Sequence, residues 1–256
     1  MPLTTSARIP LRCSSRSYRS SDMPFCIELH RALFDPASEV YGHWNGFFSG
    51  AAQRAVTQQI QGRKVHTLAP PEHRLYLLLH AFKHFLHSGF GIRQICDMAL
   101  FANAYGDRID WQYILDRCRS VRAEKFAAAV FAIGRTHLGL TADIPWPVTA
   151  PMEPLLEDIF QGGVYGGTAP ERKQTSNVTL SAAAGRKRGG PMSALFPPAS
   201  SLTGRYPYLK KHPWLLPWAW LCRLVTYRKH HRGDQTRQTI AIANQRLQLL
   251  RQYGVQ

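Results

Sequence analysis

The stretch that decides the fold is "YLLLHAFKHFLHSGFGIRQICDMALF" at residues 76–101. Its apolar residues recur at helical spacing on both sides of the Ser-Gly pair at 88–89, which predicts two consecutive helices. The Pro-Pro pair at 70–71 and the acidic Glu72 suit the first turn of a helix. The first helix is therefore predicted to begin at the prolines and to end at the Ser-Gly pair.

The helical pattern continues beyond this stretch. The buried stripe predicted for the second helix consists of Ile92, Ile95, Met98, Ala99 and Ala102. That helix closes at Gly106, a third follows Asp110 as its N-cap, and a fourth closes at Gly139. A shorter helix is predicted within "APMEPLLEDIF" at 150–160. Because the loops are short, the four consecutive helices should pack as antiparallel neighbours.

Little regular structure is predicted before the helices. Residues 1–21 contain four Arg, six Ser and no acid, which is typical of a disordered tail or a transit peptide, and a tail is expected over 1–22. "FCIELH" at 25–30 alternates apolar and polar residues and predicts a strand. The glycines and aromatics of 39–68 indicate a loop, with one short helix expected around 50–60.

Composition limits the class of protein and its partners. With 256 residues, of which 45% are hydrophobic, the chain can bury a sizeable core. Its formal net charge of +16 favours an anionic partner such as a phosphate or a membrane surface. The five cysteines lack CxxC spacing and are odd in number, which favours a reducing, cytoplasmic location. The apolar run at 213–222 is about half of the roughly 20 residues that span a bilayer, so no transmembrane segment is expected.

The basic charge is concentrated in the C-terminal part of the chain. Residues 161–205 are rich in Gly, Ser and Pro and predict an exposed basic loop or linker. Between Glu171 and Asp234 there are twelve Lys or Arg and no acid. The aromatic and basic segment at 205–232 fits either an interfacial segment that contacts lipid phosphates or a helix packed on the bundle, and packing is favoured.

Two details of this C-terminal part predict helices. The prolines at 213 and 217 permit a helix from Trp218 but interrupt a longer one. "QTRQTIAIANQRLQLLRQYG" at 235–254 places its apolar residues at helical spacing and predicts a solvent-facing amphipathic helix. The chain has enough positive charge to bind nucleic acid but no recognised nucleic-acid-binding module, so such binding would be non-specific.

Three histidines, His80, His84 and His87, lie at i, i+4 and i, i+3 spacing on the first helix. Two of them could ligate one metal ion. However, Ala81 stands where the metalloprotease signature has its general-base glutamate, and no metal ligand is assigned. Histidines at an interface between helices are the favoured interpretation, and a polar pocket is the other.

The polar-pocket interpretation adds charged residues from both helices. Lys83 lies beside the histidine face, and Arg93 and Asp97 form an i, i+4 pair on the second helix. The order Arg before Asp is the less favourable one in an isolated helix, which suggests a tertiary reason for the pair. Asp97 could otherwise approach the histidines as a third metal ligand.

Two further motifs leave alternatives open. "GGVYGGT" at 162–168 has the glycine spacing of a phosphate loop, but Thr168 stands at the lysine position, so a Walker site is rejected. A flexible turn is favoured there over a backbone amide nest for a phosphate. On the predicted strand, Glu28 and His30 share the polar face, and Glu28 is either a ligand for a divalent cation or a solvent-facing acid.

Several segments, taken in order, resemble the landmarks of the uncharacterised nucleotidyltransferase family, a branch of the polymerase-β-like superfamily. They are "IELHRALF" at 27–34, "PPEHRLYLLLHAFKHFLHSGFGIRQICDMALF" at 70–101, "DWQYIL" at 110–115, "LFPP" at 195–198 and "RYPYLKKHPWLLPWAWLCRL" at 205–224. The resemblance covers residues 24–232. It implies transfer of a nucleoside monophosphate from an NTP, with Mg²⁺, to a nucleotide or polysaccharide-type acceptor.

The resemblance also implies a catalytic sheet in which a Gly-Gly or Gly-Ser turn precedes D-x-D or D-x-E. This sequence has no such arrangement, and the similar "DRID" at 107–110 lies between predicted helices with the wrong spacing. Glu28 would match the third carboxylate of the superfamily pattern. Because two-metal phosphoryl transfer needs several carboxylates, little or no transfer is expected from this chain alone.

These patterns and the resemblance predict a mainly α protein. It is expected to be a helical bundle with a small residual β element near the N-terminus, as in a truncated α+β nucleotidyltransferase. The expected parts are a disordered tail at 1–22, a strand plus helical domain at 23–160, a basic loop or linker at 161–205, and a basic aromatic segment with a C-terminal helix at 206–256.

The predicted site follows from the resemblance and the polar pocket. Glu28 is the candidate catalytic residue, and the candidate substrate-binding residues are His30, His80, Lys83, His84, Arg93 and Asp97. Mg²⁺ and an NTP are the expected cofactors only if the family activity is retained. The alternative function is a non-catalytic basic protein, cytoplasmic or peripheral to a membrane, that contacts a membrane surface or another anionic partner.

Overall fold

The computed structural model of the chain divides into two compact units, Met1–Tyr76 and Leu77–Gln256. It describes residues 15–19, 26–87, 89–162, 179–180, 183, 196, 199–202, 206–230 and 233–255. Two predicted features fall outside these residues: the glycine motif after Gly162, and most of the loop or linker at 161–205.

The first unit begins with an antiparallel pair of strands, β1 (Ser15–Arg19) and β2 (Cys26–His30), in which Ser17 lies opposite Glu28. Strand β2 confirms the β element predicted from "FCIELH". Strand β1 lies within the segment that composition assigned to a tail. Its residues have no apolar alternation, and pairing with β2 supplies the backbone hydrogen bonds that favour the extended conformation.

A second hairpin joins β3 (Val56–Ile60) and β4 (Arg63–Thr67). The prediction of a short helix around 50–60 is therefore wrong. Ile60 pairs with Arg63, so the turn has only Gln61 and Gly62, whose φ angles are 50° and 76°. Two turn residues in the left-handed region are typical of a type I′ hairpin, and the β-branched residues flanking the turn favour strands.

The core of the first unit is aromatic. Phe34 and Trp44 are buried with their ring centroids 5.3 Å apart, and Phe34 also lies 6.0 Å from the ring of Tyr76. Trp44 belongs to a 3₁₀ helix, Gly42–Phe48, whose Asn45 side chain bonds both the backbone N–H and the carbonyl of Phe34. These contacts order a segment that the sequence indicated only as a loop.

Helices are the main regular structure in the rest of the described chain, which confirms the mainly α prediction. The eight α-helices among the described residues are α1 (Pro70–His87), α2 (Ile92–Tyr105), α3 (Trp111–Ser120), α4 (Glu124–His137), α5 (Glu153–Gly162), α6 (Ala199–Leu202), α7 (Leu216–His230) and α8 (Gly233–Gln252). Helix α7 begins two residues before the predicted Trp218, because a proline in the first turn removes no hydrogen bond.

The predicted signals of the first four helices agree with the structure. Helix α1 begins at Pro70, and the predicted stripe of α2 is buried except for the half-buried Ile92. The carboxylate of Asp110 accepts a hydrogen bond of 2.9 Å from the backbone N–H of Tyr113 at the start of α3. Gly139, which follows α4, has a φ of +65°, as expected of a helix C-terminus.

Helix α4 is at the centre of the second unit. The ring centroid of Phe126 lies 5.1 Å from that of Phe82 and 5.0 Å from that of Phe85, both on α1. The ring centroid of Phe131 lies 5.9 Å from that of Trp111 on α3. Helix α4 also contacts α2. Its run of alanines and large apolar residues is buried nearly all round, as expected of a central helix.

The end of α8 belongs to this core. Leu249, Leu250 and Tyr253 are buried, and the Tyr253 ring lies 5.8 Å from that of Phe85. The Tyr253 hydroxyl donates a hydrogen bond of 2.7 Å to the carbonyl of Pro151. The prediction of a solvent-facing amphipathic helix is confirmed, because Gln248, Arg251 and Gln252 are exposed while the apolar residues of the same turns enter the core. Helical periodicity identifies an apolar face without showing what covers it.

Candidate functional site

The most concentrated group of polar side chains among the predicted site residues lies on one face of α1. His80, Lys83, His84 and His87 are all half-buried there. The Nε2 atoms of His80 and His84 lie 3.2 Å apart, and the two rings meet edge to face at 4.6 Å. The i, i+4 spacing therefore produces a hydrogen-bonded imidazole pair, and these four residues are called the α1 polar face below.

Two histidines of this face, His84 and His87, are held in the neutral form. Burial, together with the nearby Lys83 and His87, lowers the pKa of His84 to about 4. Burial, Lys83 and Arg246 likewise lower the pKa of His87. In the His80–His84 pair one ring donates its Nε2–H and the other accepts it. The face combines neutral donors and acceptors with an ammonium group, which suits a polar or anionic ligand.

An unpredicted charged residue lies close to this face. Arg246 of α8 is buried, and its guanidinium forms an ion pair of 2.6 Å with the carboxylate of Asp158 on α5. It also donates to the carbonyl of Phe85 and lies 5.4 Å from the Phe85 ring. A signal was present in the sequence, because Arg246 stands three and four residues before Leu249 and Leu250 on the apolar stripe.

The two α2 residues predicted for the pocket are exposed. Arg93 and Asp97 have solvent-facing side chains, and no ion pair joins them among those of the described residues. The expected i, i+4 pair is therefore not formed. Neither residue has a hydrogen bond, within the described part of the chain, to the α1 polar face.

Glu28 and His30 belong to the first unit, whereas the α1 polar face belongs to the second. They are two residues apart on β2, where alternation puts them on the same side of the strand. His30 is exposed at the end of this strand, opposite Ser15.

A metal site would need more ligands than the histidine pair offers. Across the residues that the structure describes, no group of three or more His, Cys, Asp or Glu side chains could hold an ion. The Lys83 ammonium also disfavours a cation near His84. The arrangement of His80 and His84 is that of a hydrogen-bonded pair.

Comparison with known proteins identifies a family. A family described as "uncharacterised nucleotidyltransferase" matches residues 12–139, which is half of the chain. The matched segment contains all seven predicted site residues and ends just after α4. No curated protein and no solved structure gives a significant match. None of the described helices is both long enough and apolar enough to cross a bilayer.

Proposed function

Because the chain belongs to the uncharacterised nucleotidyltransferase family, we propose that it takes part in the transfer of a nucleoside monophosphate from an NTP, and that the α1 polar face binds the acceptor. The observation that carries this proposal is the half-buried His80–His84 pair beside Lys83. The pair and the lysine ammonium stand side by side on one half-buried face, and such an arrangement of polar groups supports a site for a polar or anionic ligand.

The chemistry of the face suits binding better than proton transfer. A general base works best when its pKa lies near the working pH, and the pKa of His84 is held at about 4. Its ring is therefore a weak base for an acceptor hydroxyl but a good hydrogen-bond partner for it. Lys83 adds a positive charge that would attract an acceptor carrying phosphate or carboxylate, such as a sugar phosphate.

The described residues do not fit the Mg²⁺ site of such enzymes. The ions of two-metal phosphoryl transfer need several carboxylates, and the chain has neither D-x-D nor D-x-E. Glu28 keeps a proposed role as the third carboxylate of the superfamily pattern, on the resemblance alone. We therefore expect little turnover from this chain by itself.

Release of pyrophosphate tests this proposal, because each transfer of a nucleoside monophosphate liberates one pyrophosphate. The four common NTPs would be incubated with Mg²⁺ and a panel of sugars and sugar phosphates. Lys83→Met and His84→Gln are expected to raise the KM for the acceptor, while Lys125→Met, which removes an exposed lysine of α4, serves as the control.

Two outcomes of this assay separate the alternatives. Turnover that Glu28→Ala leaves unchanged would remove Glu28 from catalysis. Absence of turnover, together with no binding of any acceptor in a separate calorimetric titration, would instead favour a non-catalytic basic protein that contacts an anionic partner.

A further inference from the structure

The aromatic and basic segment folds around a small core of its own. Leu202 of α6, Leu209 of the 3₁₀ helix Pro207–Lys210 and Ala219 of α7 are buried together. Tyr206, Tyr208, Leu216 and Trp220 pack against this core. One side of α7 is thus covered by residues of its own segment.

The other side of the same segment is exposed and apolar. Trp214 is 70% exposed, Trp218 58%, Leu221 50% and Leu215 37%. Trp214 and Leu215 end the 3₁₀ helix Pro213–Leu215, and Trp218 and Leu221 follow at i+4 and i+7 from Trp214, so helical spacing aligns all four. This group is called the tryptophan stripe. Contiguous exposed apolar side chains of this size mark an interaction surface.

The charge around the stripe indicates the kind of partner. The segment between Glu171 and Asp234 has twelve Lys or Arg and no acid. Among the described side chains, Lys211 and His212 are exposed beside the stripe, and the His212 ring lies 4.8 Å from that of Trp214. An apolar stripe within a basic segment complements a surface that is apolar inside and anionic outside.

From this combination we propose that the tryptophan stripe docks on an anionic membrane surface. The indoles of Trp214 and Trp218 enter the boundary between headgroups and acyl chains, and the leucines lie beside them in the apolar layer. The exposed Lys211 remains among the lipid phosphates. Helix α7 lies on the membrane, since no described helix can span one.

Two other occupants of the stripe fit less well. A second copy of the chain would bring two segments of the same strong positive charge together, which costs free energy at ordinary ionic strength. Single-stranded nucleic acid would stack on the indoles, but Leu215 and Leu221 have no flat face for a base and would stay exposed. A lipid surface accommodates both the aromatic and the aliphatic side chains.

Vesicle binding by the full chain tests the proposal. Co-sedimentation would use phosphatidylcholine vesicles with and without phosphatidylglycerol, at low and high salt. We expect binding only to the anionic vesicles, weakened by salt, since surface electrostatics are screened. The double variant Trp214→Ala/Trp218→Ala should weaken binding by at least about tenfold, because it removes most of the apolar area that enters the interface.

Matched variants distinguish a specific stripe from a general effect of charge or hydrophobicity. Leu100→Ala/Phe160→Ala removes two side chains that are 68% and 69% exposed on other helices, and it should leave binding unchanged. Lys211→Glu should weaken binding, whereas Lys125→Glu, which makes the same charge change on α4, should do so much less. Circular dichroism of each variant verifies that it is folded.

The proposal is overturned by any of three results. The first is a tryptophan variant that binds as tightly as the unchanged chain, the second is equal binding to neutral and anionic vesicles, and the third is binding of single-stranded RNA when the vesicles do not bind. Quenching of tryptophan fluorescence by brominated lipids gives an independent readout. The extent of quenching should fall in the double variant, although four of the six tryptophans remain.

Discussion

Arg246 of α8 and Asp158 of α5 form a buried ion pair, with Nη1 and Oδ2 2.6 Å apart and the side chains only 2% and 7% exposed. The same guanidinium donates to the carbonyl of Phe85 in α1. One side chain thus joins three helices that are far apart in sequence. Charge pairing as well as apolar packing therefore holds the C-terminal helix in the core of the second unit.

Loss of one partner of this pair should be costly. Arg246→Met leaves the Asp158 carboxylate buried without its counter-charge and should lower the free energy of unfolding by about 3–5 kcal/mol. The double variant Arg246→Met/Asp158→Leu removes both charges and should recover much of that loss. Chemical denaturation of the two single variants and the double variant measures this coupling. Additive losses would show that the pair is not coupled.

Stability should also depend on pH through His84. Its pKa is about 4 in the folded chain and about 6.5 in the unfolded chain, so only the unfolded state takes up a proton between these values. The free energy of unfolding should therefore fall as the pH decreases from about 6.5 to 4, by about 1–2 kcal/mol at pH 5 after allowance for partial exposure. Denaturation at several pH values measures the slope.

A variant isolates the contribution of His84 from that of the other histidines. His84→Gln should flatten the dependence on pH, because glutamine does not titrate. The exposed His137 at the end of α4 provides the control, and His137→Gln should leave the slope unchanged. Equal slopes in all three proteins would show that His84 is not held neutral by its surroundings.

Substitution by alanine should have different effects at two glycines, Gly62 in the turn of the second hairpin and Gly46 in the 3₁₀ helix. Gly62 has a φ of +76°, and a Cβ there would meet no atom within 4 Å, so Gly62→Ala should destabilise through backbone strain alone, by about 1 kcal/mol. Gly46 also has open space around it but no positive φ. Gly46→Ala should therefore be neutral or stabilising in thermal denaturation. Equal losses would contradict the turn geometry.

The N-cap of α3 gives a further prediction. Asp110→Ala removes the hydrogen bond to the backbone N–H of Tyr113 and should cost about 1 kcal/mol of stability, whereas Asp110→Asn should retain most of it. Asp107 is exposed in the preceding 3₁₀ turn and caps no helix. Asp107→Ala is the matched control, and a loss as large as that of Asp110→Ala would point to net charge as the cause.

The local signals in the sequence were sufficient for the first four helices. Proline at residue 70, the carboxylate of Asp110 and the glycine at 139 act through neighbouring backbone groups, so their effect can be read without knowledge of the tertiary fold. The spacing of His80 and His84 was likewise enough to place them on one helix face. Their close approach confirms that they share this face. Their role in binding stays a prediction.

Features that depend on distant partners could not be predicted in this way. Strand β1 is set by its pairing with β2, and the ion pair of Arg246 joins residues 88 positions apart. The hairpin at Gln61 and Gly62 was missed because glutamine is an unusual first residue for a type I′ turn. The low pKa of His84 depends on burial, which spacing alone does not determine.

Binding of an acceptor at the α1 polar face is the central claim, and histidine NMR tests it most directly. The imidazole resonances of His80 and His84 would be followed as pyrophosphate or sugar phosphates are added over a range of pH. An anion beside the face should shift both resonances and raise the pKa of His84 from about 4. Lys83→Met should weaken the effect, and Lys125→Met should not. Resonances that stay unchanged with every ligand, or shifts of equal size in both variants, would contradict the claim.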